Sequence, residues 1–384
     1  MSEPNQKTIL LVDDAPSNIQ VANSILKDAY KIRIATNGAK ALELASATPQ
    51  PDLILLDVMM PEMDGYEVCS RLKSDSETRD IPVIFLTGQT EIEDETRGFK
   101  VGAVDYIHKP FSPAIVKARV HTHLVLRGIQ EQLALQLRTI QKELETARQI
   151  QLSILPAEIP KLEGLDIAAR YIPMTSVAGD FYDFIVVDEK RLGILMADVS
   201  GHGMPAALIA SMLKIALAAQ VPHAADPAQV LSGLNQALCG KFEGHYVTAA
   251  YLFMDMSKQT MTYAGAGHPP MLLWGASSAS VQDVTENGLF LGKFPWATYS
   301  SLELPLTPGS WCLLYTDGIP ETTNPSEIEF GETRFRQFLA TDHSASANQF
   351  AGRLLEELSS FADRGPGGEL DDDITMVAIN IKRS

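Results

Sequence analysis

The sequence predicts an α/β domain with a doubly wound parallel sheet, a long helix, and a second domain in which helices flank packed β-sheets. Five short apolar runs near the N-terminus alternate with stretches long enough for helices, which is typical of parallel sheets covered on both faces. Residues 113–155 follow a helical period with no proline after Pro113. Many short apolar segments follow, with two helical patterns among them, and these favour a mixed α+β fold.

Composition limits the classes of protein that fit this chain. With 384 residues, of which 45% are apolar, the chain can bury more than one core. Its net charge of −17 opposes a large binding surface for nucleic acid or anionic lipid, because both ligands need basic surfaces. Cys69, Cys239 and Cys312 suggest neither a disulfide framework nor a cysteine-rich zinc site. Since no signal peptide or membrane span is evident, we expect a cytoplasmic protein.

The first domain, residues 1–124, is predicted from five apolar runs that each have the length of a short buried strand. In an open parallel sheet, functional groups gather beyond the carboxyl ends of the strands. We therefore expect these strands to share one functional edge. The predicted strands are Thr8–Val12, Lys31–Ala35, Leu53–Leu56, Pro82–Leu86 and Val104–Ile107.

Polar side chains stand at the ends of four of these strands. Asp13 and Asp14 follow the first strand, and Asp57 follows the third. Thr87 follows the fourth strand and Lys109 the fifth. Three carboxylates at one edge repel one another unless a cation lies among them, and Mg²⁺ prefers such oxygen ligands. A carboxylate beside Mg²⁺ can attack a phosphoryl donor, while an ammonium and a hydroxyl contact the transferred group.

The stretches Asp57–Gly65 (DVMMPEMDG) and Lys109–Phe111 (KPF) resemble the receiver domain of bacterial two-component response regulators, over roughly residues 7–124. The resemblance implies a flavodoxin-like fold, a bound Mg²⁺ and a phosphoacceptor carboxylate. The alternative is that the acids merely end strands and the lysine is a solvated surface charge. The implied roles are Asp57 as phosphoacceptor, Asp13, Asp14, Asp57 and the Met59 carbonyl as metal ligands, Thr87 and Lys109 as phosphoryl contacts, Tyr106 as the switch aromatic, and a cis bond between Lys109 and Pro110.

A helical connector, residues 125–156, is predicted between the two domains. Its apolar residues recur every three or four positions and form a single stripe. A stripe of this length between two globular domains favours a parallel two-helix coiled coil, and hence a homodimer. The alternative is a single helix that lies along the second domain. The stripe consists of Leu126, Ile129, Leu133, Leu137, Ile140, Leu144, Ala147, Ile150 and Ile154.

The second domain, residues 157–384, carries acidic residues in turns and at the ends of predicted strands. Several stand beside glycine, as in Asp198–Gly203 (DVSGHG) and Asp317-Gly318. Glycine permits turns in which carboxylates and backbone carbonyls both face a cation. Oxygen donors without cysteine or paired histidine suit Mg²⁺ or Mn²⁺ rather than zinc. The predicted strands include Leu192–Met196, Val247–Met254, Met271–Trp274, Trp311–Tyr315 and Thr375–Ile381, and the predicted helices are Pro205–Ala219 and Ala347–Ser360.

These acids, together with Ala147–Gln151 (ARQIQ) and Gly265–Pro269 (GAGHP), resemble the PPM/PP2C serine/threonine phosphatases, in the bacterial branch of stress-response and sporulation enzymes. The resemblance covers roughly residues 145–383 and implies a β-sandwich flanked by helices that binds two Mn²⁺ or Mg²⁺ ions. Ala178 stands where the branch usually has glycine, but no acid is lost. The implied ligands are Asp198, which bridges the two ions, the Val199 carbonyl beside it, Asp180 for one ion, and Asp317 and Asp372 for the other.

Other residues of this domain match the branch less closely or have two interpretations. Asp183 and Asp373 are weaker ligand candidates, and Asp371 leaves the register of the last acidic motif open. His202 and His268 are candidate proton donors and equally candidate structural residues.

The two resemblances together imply a response regulator whose output is a metal-dependent serine/threonine phosphatase. They imply a sensor histidine kinase or phosphotransfer protein as phosphodonor, and a phosphorylated anti-anti-sigma factor as substrate. Phosphorylation of Asp57 is expected to act through the connector on Asp180 and Asp198. The rival hypothesis is a phosphorylation-gated adaptor that captures a partner protein through a non-catalytic phosphatase fold. Loss of metal-binding acids would favour the adaptor, and the implied acids are all present.

Overall fold

The structure of the protein is a computed structural model, which describes residues 6–88, 98–275, 278–342, 344–363 and 371–382. The chain forms two compact units, Met1–Ile140 and Gln141–Ser384. The first unit is an α/β domain and the second is a β-rich domain with helices, as the sequence predicts. None of the helices in the described residues combines the length and the apolar character that a bilayer span requires.

A parallel five-stranded sheet in the order β2-β1-β3-β4-β5 forms the centre of the first unit. One face of the sheet is covered by an apolar cluster that includes Leu10, Ile54 and Phe85, and the other by a cluster that includes Leu11 and Ile84. Because successive strand residues face opposite sides, a sheet buried on both faces needs continuous apolar runs. The strands are β1 (Thr8–Val12), β2 (Lys31–Ala35), β3 (Leu53–Asp57), β4 (Val83–Thr87) and β5 (Asp105–His108).

Helices α1 (Pro16–Leu26), α2 (Gly38–Ser46) and α3 (Gly65–Ser74) lie between successive strands of this sheet. Two of them begin with a side-chain cap. Asn37 accepts a hydrogen bond from the N–H of Lys40, and Asp64 accepts one from Glu67, each at 2.8 Å. Such caps satisfy backbone donors that have no partner within the helix.

The predicted connector belongs to one helix, α4 (Pro113–Ile154), of 42 residues. A rise of 1.5 Å per residue gives it a length of roughly 63 Å. Its first turns bury Val116, Val120 and Leu124 in the core of the first unit. The following stripe faces solvent, because its first five members are between 48% and 57% exposed. These members are Leu126, Ile129, Leu133, Leu137 and Ile140.

Two sheets form the second unit. The first has the order β13-β10-β9-β8-β7 with β14 beside β10 and is antiparallel except for the β10–β13 pair. The second has the order β12-β11-β15-β16-β6 and is antiparallel throughout. An apolar cluster that includes Met196, Leu252 and Val377 draws residues from strands of both sheets. The first sheet consists of β7 (Phe181–Asp188), β8 (Arg191–Val199), β9 (Val247–Asp255), β10 (Thr260–Ala266), β13 (Asn287–Gly288) and β14 (Leu302–Pro305). The second consists of β6 (Leu165–Ile172), β11 (Met271–Gly275), β12 (Ser278–Val284), β15 (Ser310–Tyr315) and β16 (Ile374–Ile381).

Helices cover the outer face of each sheet. Leu213 of α5 and Leu231 of α6 share a cluster with β8 and β9 of the first sheet. Phe335 of α7 and Phe350 of α8 share another with β15 and β16 of the second sheet. The layers therefore run helix, sheet, sheet, helix, as predicted for a β-sandwich flanked by helices. These helices are α5 (Met204–Ala218), α6 (Pro227–Leu238), α7 (Gly331–Thr341) and α8 (Ala347–Ala362), with a short 3₁₀ turn at Val221–His223.

Candidate metal centres

The first candidate centre lies at the carboxyl edge of the parallel sheet. Asp13, Asp14 and Asp57 form the one group of three acids within the described residues whose ligand oxygens all lie within 4.8 Å of one another. Asp13 and Asp57 are buried, whereas Asp14 is exposed. Oxygen donors this close fit a hard divalent cation such as Mg²⁺, with open positions left for water or phosphate.

Lys109 neutralises part of the charge of this group. Its ammonium nitrogen lies 2.7 Å from Asp13 Oδ2 and 2.9 Å from Asp57 Oδ1. Asn18, which the sequence did not single out, donates from Nδ2 to Asp13 Oδ1 at 3.0 Å. The N–H of Ala15 donates to the same oxygen at 2.9 Å. These contacts fix the orientation of the Asp13 carboxylate.

Burial and the contact between Asp57 and Lys109 act in opposite directions on the pKa values of these two residues. Burial raises the pKa of Asp57, and the hydrogen bond from Lys109 only partly offsets it. For Lys109, burial lowers the pKa, but the hydrogen bonds to Asp13 and Asp57 outweigh burial and raise it overall. The ammonium therefore stays charged and remains available to an incoming phosphoryl group.

The remaining predicted residues of the first unit lie on the expected elements. Thr87 ends β4, and its carbonyl accepts a hydrogen bond from the N–H of Lys109 at 2.8 Å. A backbone hydrogen bond from Met59 reaches the Asp57 carboxylate, whereas coordination by the Met59 carbonyl stays a prediction. The Tyr106 ring lies 5.3 Å from the guanidinium carbon of Arg119 on α4. The peptide bond between Lys109 and Pro110 is cis, which confirms the prediction.

The second candidate centre takes its acids from both sheets of the second unit. Asp180 directly precedes β7, and Asp198 is the penultimate residue of β8. In the other sheet, Asp317 lies two residues beyond β15, and Asp372 lies two residues before β16. The predicted ligands therefore lie at the ends of four strands rather than along one of them.

Two close approaches draw the segments of this centre together. A Cβ added to Gly179 would lie 2.7 Å from the Val199 carbonyl oxygen, so the turn before Asp180 fits against the end of β8 only as glycine. Across the sandwich, Thr316 Oγ1 donates to Asp180 Oδ2 at 2.8 Å. The same hydroxyl accepts from the N–H of Thr375 at 3.0 Å. One hydroxyl thus holds a ligand of the first sheet against two strands of the second.

Burial, and after it the neighbouring carboxylates, raise the pKa values of Asp180, Asp198 and Asp317. Burial first, and then the neighbouring Asp317 and Asp372, raise the pKa of Asp198 to about 8. Burial and the Asp198 charge raise the pKa of Asp180 well above its usual range. Glu321, which the sequence did not single out, has its pKa raised by burial and then by Asp317 and Asp372. A cluster of carboxylates in this condition is costly unless cations neutralise it.

The donor set fits hard divalent ions. Among the described residues, no lysine, arginine or histidine forms an ion pair with Asp180, Asp198, Asp317 or Asp372. These four acids do not form a single compact group of the kind formed by Asp13, Asp14 and Asp57. Two ions that share one ligand do not need all four acids to lie close together, because each ion binds only some of them. Four carboxylates and a backbone carbonyl, without cysteine or paired histidine, therefore suit Mg²⁺ or Mn²⁺.

The C-terminal half of the chain matches a known family. A model of the family described as Stage II sporulation protein E (SpoIIE) matches residues 188–382, just over half of the chain. The phosphoserine phosphatase RsbU of Bacillus subtilis is 32% identical over 262 residues, which are 68% of this chain and 74% of RsbU. The chain belongs to the SpoIIE family. A model of the response regulator receiver domain matches residues 9–121, so the SpoIIE-family domain is joined to a receiver domain.

Two further comparisons cover the separate parts of this SpoIIE-family chain. A probable cyclic di-GMP phosphodiesterase of Vibrio cholerae is 51% identical over 124 residues, which are 32% of this chain and 28% of that protein. The solved SiaA-PP2C domain of Pseudomonas aeruginosa superimposes with a TM-score of 0.56 at 24% identity, covering 64% of this chain and 99% of that domain. At this identity the second likeness shows the fold alone, which is of the PP2C type. The chain thus spans less than a third of the first protein and about three quarters of RsbU.

Three acids of the SpoIIE-family domain contact protein groups. Asp183 forms an ion pair with Lys214 of α5 at 2.7 Å. Asp373 accepts hydrogen bonds from the N–H groups of Met174 and Gly179 at 2.7 and 2.8 Å, and so holds the turn before Asp180. Asp371 accepts from the Thr323 hydroxyl at 2.6 Å. These contacts support positioning roles for the weaker ligand candidates.

The two predicted histidines have different surroundings. His202 is exposed in the loop after Asp198. His268 is buried, its Nδ1 lies 2.9 Å from Thr248 Oγ1, and burial lowers its pKa to about 3. A histidine that stays neutral throughout the physiological range fits a structural role better than proton donation.

Gln151, near the end of α4, contacts the turn that carries Asp180. Its amide nitrogen donates to the Ala178 carbonyl at 2.6 Å, and its amide oxygen accepts from the Ala178 N–H at 3.0 Å. The residue is buried, although it lies on a helix whose neighbouring residues are mostly exposed. Its place in the ARQIQ stretch was noticed in the sequence, but its contact was not foreseen.

Proposed function

We propose that this protein is a response regulator in which phosphorylation of Asp57 controls a metal-dependent phosphatase for phosphoserine or phosphothreonine in proteins. The observation that carries the proposal is the cluster of Asp180, Asp198, Asp317 and Asp372, whose charge no described basic residue balances. Buried carboxylates without a basic partner have the electrostatics of a site that binds cations rather than of an adaptor surface. The receiver match and the SpoIIE-family match support the two halves of the proposal.

In the receiver domain, Asp57 is the proposed nucleophile. One carboxylate oxygen attacks the phosphorus of the donor, a P–O bond forms to Asp57, and the bond to the donor breaks. A bound Mg²⁺ would neutralise part of the charge, held by Asp13, Asp14 and Asp57. Lys109 already lies 2.9 Å from Asp57 Oδ1, so it is placed to contact the added phosphoryl group. Thr87, at the end of β4, supplies the proposed hydroxyl contact.

In the phosphatase domain, the proposed ligands are Asp180, Asp198, the Val199 carbonyl, Asp317 and Asp372. Two bound divalent cations would supply charge neutralisation and a water acidic enough to attack phosphorus. Thr316 holds Asp180 in place, and Asp373 holds the turn before it. Because these contacts are made by the protein's own groups, the cost of orienting the acids is borne during folding rather than during catalysis.

The proposed substrate is a phosphorylated anti-anti-sigma factor, and the proposed phosphodonor is a sensor histidine kinase or a phosphotransfer protein. RsbU and another relative, RsbP of Bacillus subtilis, carry the name phosphoserine phosphatase, which supports a phosphoserine protein as substrate. The receiver domain supports the proposed phosphodonor. A cytoplasmic location belongs to this proposal, because the cysteines of the chain are unpaired.

Control of one domain by the other is proposed to run through α4. The helix contacts the receiver core through Val116, Val120 and Leu124, and contacts the Asp180 turn through Gln151. The exposed stripe from Leu126 to Ile140 supports pairing with a second copy as a parallel coiled coil, and hence a homodimer. We propose that α4 has two positions. Phosphorylation of Asp57 can shift α4 from one position to the other only if it changes the difference in free energy between them.

The test is Mn²⁺-dependent phosphate release from a phosphoserine protein, with and without beryllofluoride as a mimic of phosphorylated Asp57. We expect hydrolysis that changes in rate when beryllofluoride is added. The Asp57→Asn variant should hydrolyse at a rate that beryllofluoride does not alter. Absence of hydrolysis in both states would remove the enzyme and leave the adaptor as the hypothesis to pursue.

A further inference from the structure

Four aromatic rings form a continuous row on the surface of the second unit. The ring centroids of Tyr246 and Phe290 are 4.3 Å apart. The Phe294 ring lies 5.3 Å from Phe290 on one side and 5.3 Å from Trp296 on the other. Tyr246 is 36% exposed and Trp296 is 69% exposed. We call these four residues the aromatic row. Exposed aromatic groups of this kind mark association surfaces, where Trp and Tyr contribute most of the binding energy.

The aromatic row adjoins the loop that follows β8. The Ser200 N–H donates to the Tyr246 carbonyl at 3.0 Å, and the Tyr246 N–H donates to the Ser200 hydroxyl at 2.8 Å. Val247 pairs with Val199 in the sheet and exchanges two backbone hydrogen bonds, of 3.1 and 2.8 Å, with Leu291. Two strand spacings of ~4.8 Å place Leu291 roughly 10 Å from Val199. A protein that brings a phosphoserine to the acid cluster therefore also covers the aromatic row.

The charge of the two segments that carry the aromatic row, residues 241–247 and 290–296, favours an acidic partner. Lys241 and Lys293 are exposed beside the aromatic row, with Glu243 as the one free acid of these segments. Neither lysine has an ion-pair partner in the part of the chain that the structure describes. The chain as a whole has 48 acidic and 31 basic residues, so this surface reverses the general balance. Unpaired surface lysines attract an acidic partner and speed its association.

We propose that the aromatic row, with Lys241 and Lys293, is the docking surface for the protein substrate of the phosphatase domain. It selects acidic phosphoproteins that present an apolar patch next to the phosphoserine. The inference rests on the phosphatase activity proposed above and adds the class of substrate. A small phosphate ester does not depend on the row for binding, because it has neither the acidic groups that would pair with Lys241 and Lys293 nor an extended apolar surface that would cover Trp296.

The test compares an acidic phosphoprotein, phosphorylated casein, with p-nitrophenyl phosphate on the full-length protein in Mn²⁺. Trp296→Ala should raise KM for casein at least fivefold while kcat stays within twofold, and Trp296→Phe should restore most of the loss. Lys293→Glu should raise KM for casein and weaken its dependence on salt. None of these variants should change hydrolysis of p-nitrophenyl phosphate by more than twofold.

Val186→Ala is the matched control, because Val186 is 55% exposed and lies on β7 at the end of the sheet away from Asp198. It should leave both substrates unchanged. Equal kinetics of wild type and Trp296→Ala on casein would overturn the docking surface, as would equal losses on both substrates. Hydrolysis of the small ester without hydrolysis of casein would overturn the preference for acidic phosphoproteins. If wild type hydrolyses neither substrate, the proposed function itself fails, and the docking surface falls with it.

Discussion

The two acid clusters of this protein balance their charge in different ways. At the receiver edge, Lys109 stands within 2.9 Å of both Asp13 and Asp57, so a protein cation is built into the site. In the SpoIIE-family domain, Asp198 has acidic neighbours, and its pKa is raised to about 8 by burial and by those neighbours. The difference is that the receiver site contains a protein ammonium that offsets part of the charge of its acids. The phosphatase centre has no basic partner among the described residues, so bound cations would be needed to keep all of its acids charged.

Asp57→Asn should abolish phosphorylation of the receiver domain. The amide cannot act as a nucleophile toward phosphorus, so labelling by acetyl phosphate should fall to background. Asp28→Asn, which alters an exposed acid of the same unit, should label like wild type. Persistent labelling of Asp57→Asn, measured by mass spectrometry of the intact chain, would place the acceptor elsewhere.

Asp198→Asn should lower phosphatase activity by about 1,000-fold, since a cation ligand is worth several kcal/mol at the transition state. The measurement is kcat on p-nitrophenyl phosphate in saturating Mn²⁺. Asp188→Asn is the control, because Asp188 lies at the other end of β7, paired with Arg191. If Asp198→Asn kept a tenth of the activity or more, its bridging role would be wrong.

The affinity of the phosphatase domain for Mn²⁺ should rise with pH up to about 8 and then level off. Below the raised pKa of Asp198, about 8, the carboxyl holds a proton that a cation must displace. Each pH unit below that value should weaken binding about tenfold. Calorimetric titration of Mn²⁺ at pH 6, 7 and 9 checks this. A flat profile would show that the acids are already charged without metal.

Gln151→Ala tests whether α4 supports the phosphatase centre. The substitution leaves the buried N–H and carbonyl of Ala178 without partners, at a cost of about 1–3 kcal/mol per group. We expect a severalfold weaker response to Mn²⁺ and a lower melting temperature of the second unit. Gln149→Ala removes an exposed glutamine that bonds only Glu145 on the same helix, and should change neither. If the two variants behaved alike, α4 would not support the phosphatase centre.

Leu133→Lys combined with Leu137→Lys should halve the molar mass in solution. The two residues belong to the exposed stripe of α4, and charges there oppose pairing of helices. Leu135→Lys changes a leucine that is more exposed, at 65%, and lies on another face of the helix, so it should leave the molar mass unchanged. Light scattering distinguishes the forms. A wild-type monomer, with or without beryllofluoride, would remove the coiled coil.

Most of the fold and the ordering of the acids could be predicted because the signals are local. Five apolar runs define the receiver sheet, polar residues of the site follow four of them, and acids close to glycine mark most of the second centre. Contacts between distant segments could not be predicted, such as the hydroxyl of Thr316 on Asp180. Helices α6 and α7 and strands β6, β7, β10, β12, β13 and β14 were not among the predicted elements, because their short patterns mix apolar and polar residues.

Asp183 shows why proximity in sequence is a weak guide to a shared site. It lies three residues after Asp180, and an odd separation in an extended segment places two side chains on opposite faces. Phe181 and Ile185, which share the parity of Asp183, pack in the cluster that contains α5. Lys214 of that helix pairs with Asp183. Strand parity, applied to the DFYD stretch, would have separated the two acids.

Strand β16 has a consequence for the timing of activity during protein synthesis. It pairs with β15 on one side and with β6 on the other, where Ile374 faces Ile172. Asp372 lies just before this strand, and Thr375 within it bonds the hydroxyl that holds Asp180. A ribosome must therefore translate past Ile381 before the sandwich can close. The receiver domain can fold earlier, because all of its strands are translated before the phosphatase domain begins. If Asp57 is phosphorylated as proposed, the nascent chain could carry the phosphoryl group before its phosphatase domain is complete.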